Sequence, residues 1–159
     1  SMRSFFLTIF SVLLLSSCDN NYVYGEDKDI PIDGWQKDST LIFETDSLTE
    51  LPSIIKIGVN IRNTTDYLYR NLYLFLEIEI PGRTIPIRDT INHDFMTPDG
   101  YWKDGVEGAT IKESTVYYPY AIQNPEKGIY KIKVQQAMRD ELLRDIVSIG
   151  VRIEKLDRE

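Results

Sequence analysis

Four stretches of this chain alternate apolar and polar residues with a period of two, and that alternation limits the fold more than any other feature. Ile55, Ile57, Val59 and Ile61 alternate with Lys56, Gly58, Asn60 and Arg62. Leu72, Leu74, Leu76, Ile78 and Ile80 alternate with Tyr73, Phe75, Glu77 and Glu79. Tyr130, Ile132 and Val134 alternate with Lys131, Lys133 and Gln135, and Val147, Ile149, Val151 and Ile153 with Ser148, Gly150, Arg152 and Glu154. Successive strand side chains point to opposite faces, so each run predicts a strand with one buried face. Weaker strands are predicted over 40–45, 84–91 and 115–122. Turn chemistry separates them at Asn63-Thr64-Thr65-Asp66, Pro81-Gly82, Pro98-Asp99-Gly100 and Asn124-Pro125-Glu126-Lys127-Gly128. Pro86 and Pro119 fall inside strand runs; proline donates nothing to a ladder, so both predict edge or bulged strands. The one helical candidate is Met138–Ile146. With no βαβ alternation, the expected fold is all-β: an antiparallel β-sandwich of about seven to eight strands, Ig-like or jelly-roll-type, over residues 34–159.

The start of the chain reads as a leader. Ser1 precedes Met2 and reads as a cloning scar. Arg3 supplies a minimal positive charge, and Phe5 to Leu15 is apolar except for Thr8 and Ser11. As a helix this run is about 16 Å long, half of a bilayer's hydrocarbon core, so it suits a cleaved signal peptide over residues 1–17 rather than a membrane span. It ends Leu15-Ser16-Ser17-Cys18, which resembles the bacterial lipobox. That resemblance implies cleavage before Cys18 and acyl lipid, palmitate included, on its sulfur and new amino group. Cys18 is the only cysteine in the sequence, which excludes an intramolecular disulfide framework and fits an anchoring role. Several acyl chains hold a protein to a membrane where one does so marginally. Residues 18–33 are polar and acidic and read as a lipidated N-terminus and tether, reaching about 50 Å at full extension. A second reading pairs Tyr22–Tyr24 as a first strand.

Composition excludes several function classes. The sequence has 159 residues, 18 basic and 25 acidic side chains and a formal charge of −7. No excess of Lys and Arg exists to displace counterions from phosphates, so no nucleic-acid partner is expected. Among titratable groups, His93 is the only histidine. It is expected in an exposed loop, and with no second His and Cys18 spoken for, no zinc site can form. Asp94, Asp99, Asp104 and Glu107 cluster in sequence, but their spacing is not that of a calcium-binding EF-hand loop. Glu77 and Glu79 project from one strand in the same direction, so they cannot flank a glycosidic bond. Nucleophile-elbow, Walker, zincin and Rossmann signatures are absent from the sequence. The expectation is therefore a protein with no catalytic residues, no metal and no cofactor beyond the lipid on Cys18.

Aromatic residues are the strongest binding candidates. Trp35, Tyr101, Trp102, Tyr117, Tyr118 and Tyr120 suit a platform for a partner protein or a glycan, since Tyr and Trp dominate binding hot spots. Trp35 and Trp102 equally suit plugs at the ends of a sandwich. Tyr67 and Tyr69, beside Arg70, suit a partner-facing corner, or the packing of a turn. Gln136, Met138 and Arg139 follow a strand, where an unbranched thioether can adapt to a partner or close the core.

Several segments taken in order resemble the gliding-motility lipoprotein family GldH. They are the lipobox, Gly34-Trp35-Gln36-Lys37-Asp38-Ser39, Asn60-Ile61-Arg62-Asn63, and Asp66-Tyr67-Leu68-Tyr69-Arg70-Asn71-Leu72-Tyr73-Leu74. Pro98-Asp99-Gly100-Tyr101-Trp102, Gly128-Ile129-Tyr130, Gln136-Ala137-Met138-Arg139 and Gly150-Val151-Arg152-Ile153-Glu154 follow. The stretch Lys103–Gly108 departs from the glycine-richer run expected there. The resemblance implies a Bacteroidota cell-envelope lipoprotein of the outer membrane, without catalytic activity, tied to gliding motility and to type IX secretion. Its expected partners are the membrane, through the anchor, and other envelope lipoproteins or machinery proteins. The rival expectation is a surface carbohydrate-binding lipoprotein.

Overall fold

A computed structural model describes residues 21–157. Among them the chain forms eleven strands and no helix. Eight are longer than two residues: β1 (Tyr22–Asp29), β3 (Leu41–Glu44), β4 (Ile54–Thr64), β5 (Asn71–Glu79), β6 (Ile87–Asp94), β7 (Ile111–Tyr117), β9 (Lys131–Gln136) and β11 (Ile146–Lys155). Three two-residue strands, β2 (Trp35–Gln36), β8 (Ile122–Gln123) and β10 (Leu142–Leu143), fill the connections. One sheet runs β1-β11-β4-β7, with β8 also on β4; the other runs β3-β9-β5-β6. All pairings are antiparallel. With the short strands set aside, the order is first–eighth–third–sixth against second–seventh–fourth–fifth, which is jelly-roll rather than immunoglobulin-like topology.

The alternation places the core. Val151 opposes Val59 and Ile153 opposes Ile57 on the inner face of one sheet. Leu76 opposes Val134 and Ile78 opposes Ile132 on the inner face of the other. These residues are almost wholly buried, together with Phe43, Leu72, Leu74 and Ile149. Each such side chain contributes about 1.5–3 kcal/mol by leaving water. Both strand runs that contain proline lie beside edge strands: Pro86 immediately precedes β6, and Pro119 lies two residues past the end of β7.

Two expectations need correction. Residues 18–33 are not a tether throughout, because β1 pairs with β11 from Tyr22 opposite Glu154 to Asp29 opposite Ser148. The sandwich therefore starts at residue 22, not 34. β1 lacks apolar alternation because it lies at a sheet edge and is held by its backbone ladder. Arg152 adds a two-pronged bond to Asp27 at 3.0 and 2.9 Å, and the Lys28 ammonium caps the Phe43 ring. The helix expected at Met138–Ile146 is absent. Leu143 and Ile146 are both buried, as a helical face would have them, but β10 pairs with β2 and the chain turns at Asp145, whose φ is 71°. Asp145 is locked there by Thr64, which donates its N–H to the Asp145 carbonyl and its hydroxyl to Oδ1, both at 2.9 Å.

Candidate functional site

The strand directions give the sandwich two unlike ends. The chain enters at Tyr22, beside Glu154 and the 45–53, 80–86 and 124–130 loops. β1 then crosses the whole molecule, about 26 Å for eight residues. At the far end gather the 30–34, 65–70, 95–110 and 137–145 connections. Of the sequence-based partner candidates, Tyr117, Tyr118 and Tyr120 lie toward the entry end, where β7 finishes, and the others belong to this far end.

A chain of rings builds it. Tyr69 meets Tyr67 edge-on at 5.8 Å, Tyr67 meets Phe95 at 5.3 Å, and Phe95 meets Trp102 at 6.2 Å between centroids. Such contacts add about 0.5–1.5 kcal/mol each beyond burial. Tyr67 is buried and donates its hydroxyl to the Asn71 carbonyl at 2.9 Å. Tyr69 donates to Asp140 Oδ1 at 2.6 Å. Burial pushes the Tyr67 phenol well above its usual pKa, and the bond to Asp140 raises that of Tyr69, so both remain proton donors. The 137–141 turn is organised from beneath by Gln136, which is fully buried. Its Nε2 donates to the Asp140 carbonyl at 2.8 Å, and its Oε1 accepts from the Met138 N–H at 2.9 Å.

This frame settles what each candidate does locally. Trp35 is 1% exposed and donates its indole N–H to the Ser39 carbonyl, so it is a plug. Trp102 is half-buried against the core through Phe95. Met138 packs on the core and its sulfur accepts from the Tyr73 N–H. Tyr101 and Arg139 remain exposed, as do Leu68 and Arg70. Between Tyr67–Tyr69 and Asp140, Leu142 and Arg144 lies a cleft of about 180 Å³. Tyr117 sits apart, on the outer face of the five-stranded sheet, where it donates to Glu154 at 2.9 Å under the Lys56 ammonium.

His93 is not in an exposed loop. β6 runs to Asp94, three residues past the expected end, and its alternation puts His93 on the inner face with Ile91. There Nε2 lies 2.9 Å from Ser114 Oγ of β7, joining the two sheets. Burial lowers the imidazole pKa, with Asp104 and Asp94 opposing that shift. Among the described residues no group of three or more His, Cys, Asp or Glu side chains converges on a metal-sized site.

A second feature escapes the sequence reading: an open trough of about 520 Å³ on the outer face of the four-stranded sheet. Phe75 and Glu77 of β5 form its floor between β9 and β6. The available signal was the polar side of the β5 alternation, where Tyr73 and Phe75 stand in positions that normally face water with polar groups.

The GldH lipoprotein family model matches residues 22–153, from the start of β1 into β11. The chain belongs to the GldH lipoprotein family. It is 38% identical to a gliding motility lipoprotein GldH homolog of Christiangramia forsetii, covering 99% of this chain and 98% of that protein. It is 32% identical to the gliding motility lipoprotein GldH of Flavobacterium johnsoniae, covering 95% and 96%. Among solved structures, a fructofuranosidase of Schwanniomyces occidentalis aligns with 85% of this chain and 34% of its own. Its 9% identity and TM-score of 0.39 are too low to bear on function. The family boundary supports the correction of the tether, since it too starts at β1.

Proposed function

We propose that this chain is a lipid-anchored, non-enzymatic component of the gliding apparatus and of the type IX secretion machinery, held to the outer membrane through acylated Cys18. The observation that carries this reading is similarity over nearly the full length, at 38% and 32% identity, to two proteins named for gliding motility. The leader and Cys18 lie outside the described residues, so the anchor rests on the lipobox resemblance. With β1 beginning at Tyr22, four positions past Cys18, the link between them reaches at most about 14 Å when extended. A leash that short holds the entry end of the sandwich near the lipid headgroups. The far end, with Leu68, Arg70, Tyr101 and Arg139 exposed, then faces away from the membrane toward a protein partner.

The test is made in the native host. Deleting the gene is expected to impair gliding and type IX export and to lower the abundance of other machinery lipoproteins. A Cys18→Ala chain is expected to incorporate no lipid and to leave the membrane fraction. Unchanged motility and secretome on deletion would overturn the machinery role, and unchanged fractionation of the variant would overturn the anchor.

A further inference from the structure

We propose that the trough on the outer face of the four-stranded sheet is a binding site for a neutral saccharide, with Phe75 as the stacking platform. The inference is independent of the anchor and of the protein partner at the far end.

The register builds the site. Phe75 stands opposite Gln135 on one side and Thr90 on the other. In the adjoining row, Glu77 stands opposite Lys133 and Arg88. Phe75 is 49% exposed, and Tyr73, two residues along the same face, is 45% exposed. An apolar ring is therefore open to solvent at the bottom of a concavity, bordered on three sides by amide, hydroxyl and charged groups. The volume falls within the range of small-molecule sites, about 300–1,000 Å³.

The polar groups are held in place before any ligand arrives. Glu77 accepts from Arg88 Nε at 2.6 Å and from Lys133 Nζ at 3.1 Å, and these two cations hold its carboxyl below the usual carboxylate range. Gln135 is oriented by donating Nε2 to the Lys37 carbonyl at 2.6 Å, while Thr40 donates to its Oε1 at 3.4 Å. Arg88 reaches Glu77 through Nε, and 73% of its side chain stays exposed.

Charge selects the class of ligand. Within the trough Arg88 and Lys133 are balanced by Glu77 and Asp89, so nothing favours a polyanion or a polycation. A purely apolar segment would desolvate the ion pair without replacing its lost water contacts. A sugar ring has one face of C–H bonds and a rim of hydroxyls. Its apolar face matches the Phe75 ring, and its rim matches the Gln135 amide and the charged groups, the latter making the stronger, charge-assisted hydrogen bonds.

The experiment titrates the full chain calorimetrically with neutral hexasaccharides: cellohexaose, laminarihexaose, mannohexaose and chitohexaose. At least one is expected to bind, with affinity falling tenfold or more in Phe75→Ala and several-fold in Tyr73→Ala, and unchanged in Trp102→Ala. Circular dichroism melting of each variant checks that the sandwich is intact. No binding by any of the four overturns the proposal, as does binding that survives Phe75→Ala. Preference for hexaglutamate over the sugars also overturns it, as does self-association of the chain that Phe75→Ala abolishes.

Discussion

The two sheets of this sandwich have nearly interchangeable inner faces and opposite outer ones. Inside, one presents rows of Ile and Val and the other rows of Leu, Ile and Val. Outside, the five-stranded sheet is covered by side chains that satisfy one another. Asn60 donates to Glu113 at 3.0 Å and accepts from Thr115 at 3.0 Å, Lys56 pairs with Glu154 at 3.5 Å, and Arg152 grips Asp27. Of its exposed aromatic strand residues, Tyr22 stands opposite Glu154, and Tyr117 is tied down by both Glu154 and Lys56. The four-stranded sheet leaves Tyr73 and Phe75 open beside the trough. A strand pattern therefore states which face is inside, while the outer partners decide whether the other face is finished or available.

The largest test attacks the shared half of that comparison. Leu74→Ala and Ile61→Ala, one from each inner face, are each expected to lower unfolding free energy by about 2–5 kcal/mol in urea titrations. A cost confined to one sheet would break the symmetry of the core. Next, Tyr117→Ala on the covered face removes a hydrogen bond and a cation–π contact and is expected to cost about 1–2 kcal/mol. Phe75→Ala on the open face is expected to cost less, about 0.5 kcal/mol, because half its ring already meets water. Equal losses would mean that the open face is a structural surface after all. Arg152→Ala is expected to cost about 1 kcal/mol at low salt and less at high salt, as a partly exposed pair does.

A pH test probes the seam between the sheets. His93 has a lowered pKa in the folded chain, so below about pH 6.5 the unfolded chain takes up the proton first. Its contribution is intact above that pH and is lost as pH falls toward the folded value. Urea midpoints at pH 7.5 and 5.5 should differ more in the wild type than in His93→Gln. Identical differences would show that the imidazole does not titrate as its burial requires.

The four strong strands and the turns between them were legible because each is a local property of neighbouring residues. Ile55 to Ile61 alternate whatever they pair with. The far-end gathering of Tyr67, Tyr69, Trp102 and Met138 was legible residue by residue, yet their meeting was not, since Tyr69 and Asp140 lie 71 positions apart. β1 was hidden for a related reason: its ladder to β11 uses backbone groups, which every residue carries and no side-chain pattern reveals. The run 138–146 was misread because Leu142, Leu143 and Ile146 have a helix-like spacing that an αL turn at Asp145 reproduces.

By itself the sequence determined that this chain is a β protein whose strands each bury one face, because burial of alternating side chains needs only the next residue but one; the likeness to GldH rested separately on the order of its short segments. The tertiary structure alone decided that His93 is sealed between the sheets, that the chain enters opposite its aromatic end, and that Phe75 lies open in a trough. Each of these depends on which strands become neighbours, and strand neighbours are chosen by the summed packing of the whole core rather than by any one segment.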